Sequence, residues 1–405
     1  MSSLTVTACR PTEADQIPTE AELLRRARRL VPALRDRAAA CEENRAVLPE
    51  TVDDFEKAGF YRILQPAALG GYEMHPMTHY RVAMELAKGC PSSAWCLSIV
   101  GVHNWELALL GPEAAHDVWD QDPAARISSS YAPFGKVERV EGGFRVSGRW
   151  PWSSGCDHCT WVFLGGFAPT ETPGPPDHRA FLIPRHDYEI EDNWHVLGLK
   201  GTGSKVIYVE GAFVPEHRTH RVGQSFLMQD AGLKTFTSPN YRYPFGNIFV
   251  HTLAVVVLGM ADGALEAFTE QMAERRGVYD SSKAMEDPFV RQRLARAAAL
   301  VRNAHNTLEA NFSQLDDLVT AGEPIPVTLR VTHKWDATMI AKTCVEAVDL
   351  LFQATGARGL MLSNPIQRYF RDAHAASNHA ALNADQGSLN AGFVAMGGAN
   401  ADFFI

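Results

Sequence analysis

The chain has 405 residues, of which 46% are hydrophobic and 21% charged, and its formal net charge is -9. This length predicts about two to three domains, and the composition is that of a globular protein. The negative charge and the absence of a long Lys/Arg run argue against a nucleic-acid-binding protein. Seven cysteines at irregular spacing do not form a disulfide framework, and residues 1–16 show no secretory signal. We therefore expect a reduced, cytoplasmic protein.

The first third of the chain has a helical pattern. Apolar residues recur at 3.6-residue spacing in residues 20–40, which gives that segment one apolar face. A second helix is predicted over residues 49–59, because Pro is favoured in a first turn and Gly ends helices. Residues 91–110 are apolar nearly all round, which predicts a buried helix, although His103 lies in its middle.

Short alternating segments follow between residues 126 and 222. The pattern of "GKVERVEGGFRVSGRW" predicts a hairpin that turns at Glu141-Gly142-Gly143. Further short strands are separated by clusters of Pro and Gly. This middle block therefore indicates a small β-barrel or sandwich.

Helical periodicity returns after the β block and continues to the end of the chain. Long helices are predicted over residues 247–276, 287–319, 327–356 and 364–383, with lengths that suit an antiparallel bundle. The longest uninterrupted apolar run, Leu253–Ala261, is about half a membrane span, so no contact with a membrane is expected. We expect an α+β fold with an N-terminal helical domain (1–125), a β domain (126–222) and a C-terminal four-helix bundle (223–405).

The stretch "RWPWSSGCDHCTW" contains a C-x-x-C pair that suggests a metal site. A structural zinc site needs four ligands, and no second pair of this kind occurs in the chain. Because the segment has a strand-like pattern, Cys156 and Cys159 would point to opposite faces and would not chelate one ion, whereas a turn in this segment could bring them together. We therefore predict two packing cysteines and no metal.

The same stretch places Ser153 and Ser154 beside Trp150 and Trp152. On its own, this pattern is equally typical of a β-strand with packing aromatics. Together with "LGLKGTGSKVIYVEGAFVPEHR" and "LLFQATGARGLMLSNPIQRYFRDAH", it resembles the acyl-CoA dehydrogenase fold over most of the chain. In that family, a strand with a Trp and a hydroxyl residue lies against the flavin ring.

The sequence departs from the dehydrogenases at the catalytic base. Acyl-CoA dehydrogenases remove the α-proton of a thioester with a Glu, which lies in an E-G-T after the R-D motif or on the first long C-terminal helix. Here "HAASNHAALNADQGSLNAGF" has no E-G-T, and the helix has no Glu before Glu266. Plain dehydrogenation is therefore disfavoured.

The remaining features are similar to the two-component flavin monooxygenases of the same fold, the phenol ortho-hydroxylases. This resemblance assigns His103, Ser154 and His379 to catalysis, and Ser129 and Trp152 to substrate binding. Reduced flavin reacts with O₂ to a C4a-hydroperoxide, which survives only where water is excluded and the flavin N5 is held. The Ser154 hydroxyl can accept a hydrogen bond from N5–H, and Trp152 can exclude solvent.

Histidine is the side chain best suited to withdraw a phenolic proton at neutral pH, and this makes the ring carbon beside the hydroxyl more nucleophilic. His103 has an alternative role as an ordinary buried histidine bonded to a backbone carbonyl. His374 and His379 are five positions apart, which is about 140° on a helix, so they cannot share one small pocket. The resemblance selects His379 for the site and leaves His374 to packing or to the surroundings of the cofactor.

Further residues carry over as contacts to the flavin. Trp152, Ser153 and Ser154 would lie at the ring, while "GTGSK" offers backbone N–H groups, a hydroxyl and a cation to its tail. An ordinary tight turn explains "GTGSK" equally well. The residues assigned to cofactor binding away from the ring are Gly203, Ser204, Lys205, Arg276, Gln353, Gly356 and Arg358. Arg276 would reach a neighbouring subunit's flavin or form a surface salt bridge.

No G-x-G-x-x-G motif follows a predicted strand, so the chain is not expected to bind a nicotinamide. A separate NAD(P)H:flavin reductase would then supply reduced FMN or FAD, and O₂ would be the second reactant. The expected function is hydroxylation of a small phenolic or related aromatic substrate by a homo-oligomer, a tetramer. The alternatives are N- or S-oxygenation of an amine or heteroaromatic, dehydrogenation of an acyl-CoA, and a scaffold that binds no flavin.

Overall fold

The N-terminal part of the chain is helical, which confirms the predicted helices. The computed structural model describes residues 17–170, 174, 176–276 and 283–405, so residues 1–16, the segment without a recognisable secretory signal, lie outside the described residues. The helices that precede the sheet are α1 (Glu20–Asn44), α2 (Pro49–Lys57), α3 (Pro76–Ala87), α4 (Pro91–Leu110) and α5 (Pro112–Trp119). Thr19 caps α1, because its hydroxyl accepts from the backbone N–H of Glu22.

Helix α4 is the central helix of this part, and all of its residues are buried. Its apolar residues face neighbours on every side, as a helix without an amphipathic pattern requires. Several polar side chains within it have specific partners. The Asn104 amide donates to the Tyr61 carbonyl at 2.7 Å, and Glu106 bonds to Tyr131 and His220. Such hydrogen bonds offset the cost of burying these groups.

The middle block forms a strongly curled sheet. Within the described residues its strands are β1 (Ile127–Val140), β2 (Gly143–Ser153), β3 (Trp161–Ala168), β4 (Asp177–Pro184), β5 (Glu189–Glu191), β6 (Lys205–Pro215) and β7 (Thr219–Arg221), in the order β5-β6-β2-β1-β3-β4-β7. β1 pairs antiparallel with β2 and parallel with β3, and its register shifts between Ser130 and Gly135. Residues of β2 and β6 share one apolar core with residues of β3 and β4, so the two halves of the sheet face each other. The predicted β-barrel or sandwich and its hairpin are confirmed.

Six α-helices follow the sheet in the part of the chain that the structure describes, and the second, third and fourth of them are long. They are α6 (Val222–Phe226), α7 (Phe245–Glu274), α8 (Pro288–Ala321), α9 (Val327–Thr355), α10 (Pro365–Ser377) and α11 (Ala384–Ala395). Helices α7, α8, α9 and α10 pack against one another, so the predicted bundle is confirmed. The helix predicted over residues 364–383 is wrong at its C-terminal end, since α10 stops at Ser377. A short 3₁₀ turn, Ala380–Leu382, then leads to α11. His379 therefore lies outside the helix.

Helix α7 is long and apolar enough to cross a membrane, with a mean hydropathy of 1.9 in its most apolar window. However, 89% of that window is buried against the rest of the protein. It packs against α3, α4 and α9. These contacts make α7 a core helix. The strands occupy Ile127 to Arg221, inside the predicted block 126–222, while the division into three domains stays a prediction.

Candidate active site

The C-x-x-C pair lies in a turn, so the predicted strand through it is wrong. β2 ends at Ser153, Gly155 takes a left-handed conformation (φ 71°), and Cys156–His158 form a 3₁₀ turn. The Cys156 thiol donates to the Gly203 carbonyl and the Cys159 thiol to the Gly155 carbonyl, at 3.6 and 3.4 Å. Burial raises the pKa of Cys156 to about 12. Both thiols are thus buried packing groups, and the described residues contain no cluster of three or more potential metal ligands.

A cavity of about 380 Å³ lies between the β sheet and the C-terminal helices. Four residues that the sequence singled out line it, although they come from separate parts of the chain: Ser129, Trp152, Ser154 and His379. Between them lie apolar and aromatic side chains, including Tyr131 and Phe249. A mostly apolar cavity with a few convergent polar groups is typical of a small-molecule site.

Trp152 stands at the mouth of this cavity with 61% of its surface exposed. Its backbone is left-handed (φ 70°), a conformation that costs a non-glycine residue about 1–3 kcal/mol and that concentrates at functional sites. Ser153, its neighbour, is fully buried, does not line the cavity, and its hydroxyl has no hydrogen-bond partner. The two residues therefore differ sharply in their access to a flavin ring, and their predicted contacts stay predictions.

Ser154 is held by two buried neighbours. The indole N–H of Trp95 donates to its hydroxyl at 3.2 Å, and the Ser204 hydroxyl lies 2.7 Å away. Ser204 is therefore behind Ser154 and does not line the cavity. Lys205 forms an ion pair with Asp157, with its Nζ 3.0 Å from Oδ1. Roles for Gly203, Ser204 and Lys205 at a flavin tail stay predictions.

His103 is fully buried and does not line the cavity; it lies one helical turn along α4 from the lining residue Ile99. Its ring packs behind Tyr131 and Phe249, with centroid distances of 6.2 and 6.5 Å. Nδ1 is 2.7 Å from the Ile127 carbonyl, which can only accept, so Nδ1 carries the proton. Nε2 is then an acceptor, and it is buried without a partner. Burial lowers the pKa of His103, against the opposing charge of Glu106.

In His379 the proton lies on the other ring nitrogen than in His103. Its Nδ1 accepts from the backbone N–H of Ala381 at 3.2 Å, so the proton of the neutral ring is on Nε2. Burial lowers its pKa to about 4. His374 is bound to Asp349 at 2.8 Å and does not line the cavity. The helical angle predicted between the two histidines does not apply because α10 ends before His379, but only His379 reaches the site.

The sequence-based reasoning missed the residues that close the other end. A larger cavity of about 870 Å³ adjoins the first, and both are lined by Lys334, Asp402 and Phe404. Asp402 brings a carboxylate to the site from the C-terminal tail. Its oxygens are occupied, since Lys334 Nζ donates at 2.6 Å and the Phe404 N–H at 2.9 Å. Glu266, in contrast, pairs with Arg35 and Lys88 away from the cavity.

The remaining predicted cofactor residues lie outside the cavity. Gln353, Gly356 and Arg358 are exposed at the end of α9. Arg276 is exposed after α7 and forms an isolated β-bridge with Lys283. Arg275 donates to carbonyls of Ala354 and Thr355, which fixes the end of α7 beside that of α9. Within one chain, these four residues are therefore not close to the cavity in which a flavin would bind.

The cavity fits the ring of a flavin and an aromatic guest. Aromatic side chains line it, Ser154 presents a hydroxyl to it, and the unpartnered Nε2 of His103 is buried behind the lining residues Tyr131 and Phe249. An unpaired buried polar atom calls for an explanation, and a bound ligand is one of them.

Comparisons with known proteins agree with this geometry. The acyl-CoA dehydrogenase N-terminal domain matches residues 18–120, and the acyl-CoA dehydrogenase C-terminal domain matches residues 251–384. The flavin-dependent monooxygenase oxygenase subunit HsaA of Rhodococcus jostii strain RHA1 is 41% identical over 87% of this chain and 92% of that protein. The oxygenase component of p-hydroxyphenylacetate 3-hydroxylase from Acinetobacter baumannii is 32% identical over 90% of this chain and 86% of that protein.

Solved structures give the same result. The crystal structure of 3-HSA hydroxylase from Rhodococcus sp. RHA1 has a TM-score of 0.91 and 39% identity, covering 95% of this chain and 99% of that chain. These matches do not favour N- or S-oxygenation or acyl-CoA dehydrogenation. Reduced flavin and O₂ are the reactants of this family, and a separate flavin reductase is implied. The chain belongs to the oxygenase components of two-component flavin-dependent monooxygenases, which hydroxylate aromatic substrates on the acyl-CoA dehydrogenase fold.

Proposed function

We propose that the cavity holds a phenol and that the protein hydroxylates the ring beside its hydroxyl group. The observation that carries this proposal is the pair of opposite histidine tautomers, since His103 offers an acceptor and His379 a donor. In this proposal a phenolic O–H reaches past Tyr131 and Phe249 to the unpartnered Nε2 of His103, which does not itself line the cavity. As that proton is withdrawn, the ortho carbon becomes more nucleophilic.

His379 complements this action with an N–H group. A positioned donor stabilises an oxygen that becomes negatively charged during a reaction. Ser129 lines the same cavity and offers a further hydroxyl to the guest. Because burial keeps both histidines neutral, each presents a fixed hydrogen-bonding role instead of a charge.

In the same cavity, Ser154 and Trp152 would hold a reduced flavin, FMN or FAD. Bound reduced flavin supplies, with O₂, the oxygen atom that is transferred to the ring. Ser154 would accept a hydrogen bond from N5–H, and the indole of Trp152 would limit the entry of water at the mouth. The catalytic or binding roles of all these side chains are part of the proposal.

The test is to replace each histidine by Leu and to supply reduced flavin with a generic reductase and a panel of phenols. We expect hydroxylated product, identified by mass, to fall about a hundredfold or more in His103→Leu and His379→Leu. Oxidation of reduced flavin should continue and release H₂O₂ in place of product.

The matched control is His305→Leu, because His305 pairs with Asp262 at 3.0 Å outside the cavity. It should form product as the unsubstituted protein does. Full product yield in both His103→Leu and His379→Leu would contradict the proposal. It would favour oxygenation at nitrogen or sulfur, which needs no phenolic proton transfer.

We also propose that the protein works in the cytoplasm as a homotetramer. The exposed positions of Arg276, Gln353, Gly356 and Arg358 support flavin contacts across a subunit boundary. Three exposed apolar residues follow α9 at the same end: Leu360, Met361 and Leu362. Sedimentation of the purified protein should give the mass of four chains, and Arg358→Ala should weaken flavin binding. A monomer with unchanged flavin affinity in Arg358→Ala would contradict this arrangement.

A further inference from the structure

We propose that Thr202 and Ser204 are positioning residues that fix the direction of the Ser154 hydroxyl, so that the site prefers reduced over oxidised flavin. This inference depends on the proposed contact between Ser154 and the flavin N5. In reduced flavin, N5 carries a hydrogen and donates, whereas in oxidised flavin N5 has only a lone pair and must accept. The side chain opposite N5 therefore discriminates between the two states if its own hydrogen is committed elsewhere.

The hydroxyl groups of Thr202, Ser204 and Ser154 form a series of hydrogen bonds, and its direction is set at the end farthest from the cavity. The Thr202 hydroxyl donates to the Leu199 carbonyl at 2.9 Å, and it has no second hydrogen to give. Ser204 lies 2.7 Å from Thr202 and must therefore donate to it. Ser154 lies 2.7 Å from Ser204, whose hydrogen is now in use, so Ser154 must donate to Ser204. Each hydroxyl fixes the next one.

The second neighbour of Ser154 completes this assignment. The indole N–H of Trp95 can only donate, and it does so to Ser154 at 3.2 Å. The Ser154 hydroxyl thus uses its hydrogen and one lone pair inside the protein. A single lone pair remains for the cavity, which Ser154 lines. That lone pair can accept from the N5–H of reduced flavin, but it offers nothing to the N5 of oxidised flavin.

The Leu199 carbonyl, at which this series of hydrogen bonds ends, is itself held in place. Leu199 has a left-handed backbone (φ 52°), and its N–H donates to the buried carboxylate of Asp372 at 2.6 Å. The Leu199 carbonyl also accepts from the Trp194 indole N–H at 3.1 Å. Reversing the three hydroxyls to suit oxidised flavin would remove the Thr202 bond to this carbonyl. Asp372, which belongs to the R-D motif of the sequence, thus fixes the turn that sets the direction at Ser154.

The test compares flavin affinity in both redox states. Oxidised and anaerobically reduced FMN and FAD are titrated into the full-length protein and into Ser204→Ala and Thr202→Val. In both variants the Ser154 hydrogen is free to turn towards N5. The ratio of the dissociation constants, oxidised over reduced, should fall about fivefold, the equivalent of one hydrogen bond of about 1 kcal/mol. The two-electron potential of bound flavin should fall by roughly 20 mV in the same variants.

The matched control is Ser98→Ala. Ser98 is also buried and donates to a carbonyl, that of Thr252 at 2.8 Å, but it does not line the cavity. In Ser98→Ala, the ratio of the dissociation constants for oxidised and reduced flavin should equal that of the unsubstituted protein. Flavin binding with an unchanged ratio in both Ser204→Ala and Thr202→Val would overturn the inference and leave the proposed function intact. Failure of the unsubstituted protein to bind reduced flavin would overturn the proposed function itself.

Discussion

Two buried groups of residues lie on either side of Tyr131, and both are built around histidine. On one side are His103 and the cavity that His379 lines. On the other side is a carboxylate cluster, which consists of Glu106, His220, Ser225 and Asp230. The Tyr131 ring packs 6.2 Å from that of His103, while its hydroxyl donates to Glu106. One aromatic residue thus separates the two environments.

The histidines in these regions differ in charge, although His103 and His220 are both fully buried and His379 is half-buried. His220 Nδ1 is 2.7 Å from Glu106 Oε1, and its Nε2 is 3.3 Å from Asp230 Oδ1 and 2.5 Å from the Ser225 hydroxyl. Burial alone lowers the pKa of His220, but its bonds to Asp230 and Glu106 and their negative charges outweigh this and raise it to about 9. His103 and His379 are not bonded to carboxylates, and burial lowers their pKa.

The difference shows that the partner, and not burial itself, decides whether a histidine in this core carries charge. The cluster holds a protonated histidine at neutral pH and stabilises the fold around Tyr131. His103 and His379, which have no carboxylate partner, stay neutral, and this leaves an acceptor nitrogen on the first and a donor nitrogen on the second. Three experiments can break or sharpen this contrast.

The largest effect is expected from Glu106→Gln. The substitution keeps the shape of the side chain but removes one of the two carboxylates beside a buried cation. We expect the free energy of unfolding, measured with a chemical denaturant, to fall by about 3 kcal/mol. Glu266→Gln is the control, because its partners Arg35 and Lys88 lie near the surface, and it should cost less than about 1 kcal/mol. Equal losses in both variants would contradict a special role for the cluster.

The pH dependence of stability should reveal the charge on His220. Its folded pKa of about 9 lies above the ordinary value of 6.5, so protonation stabilises the folded state. This contribution is complete below pH about 6.5 and is lost as pH rises through about 9. The unfolding free energy of the unsubstituted protein should therefore decline by up to roughly 3 kcal/mol relative to His220→Gln across this window. Parallel curves for the two proteins would mean that His220 is neutral when folded.

A smaller effect is expected from Tyr131→Phe, which removes only the hydroxyl between the two regions. Glu106 then loses one hydrogen bond and keeps His220, so the free energy of unfolding should fall by about 1.5 kcal/mol. Tyr208→Phe is a control at an exposed tyrosine and should change stability by less than about 0.5 kcal/mol. A neutral Tyr131→Phe variant would show that its hydroxyl does not stabilise Glu106.

Local sequence patterns predicted most of the fold. The apolar face of α1, the Pro and Gly around α2, and the uniformly apolar α4 depend on spacing along the chain, and each helix formed as expected. The errors lie where local and tertiary preferences compete. The helical pattern ran past Ser377, but the helix ends there, and His379 caps the following turn with its ring nitrogen.

The site was predictable only in part. Ser129, Ser154 and His379 could be identified because motifs around them resemble those of a known family, and they meet in one cavity. Trp95 could have been found because it lies on α4, the helix that also carries His103. Tyr131 could have been found because it follows Ser129 by two residues. Lys334 and Asp402 could not, because 68 positions separate them and no motif links them before the tail folds back.

The order of helices and strands, the buried character of α4 and α7, and the absence of a Glu at the usual base positions were determined by the sequence alone, because each depends on residue type and local spacing. The tautomers of His103 and His379, the charge on His220 and the direction of the Ser154 hydroxyl were decided only by the tertiary structure. A proton's position depends on which acceptor or donor lies within about 3 Å. In this protein those partners are backbone carbonyls, carboxylates and hydroxyls that folding brings from distant segments of the chain.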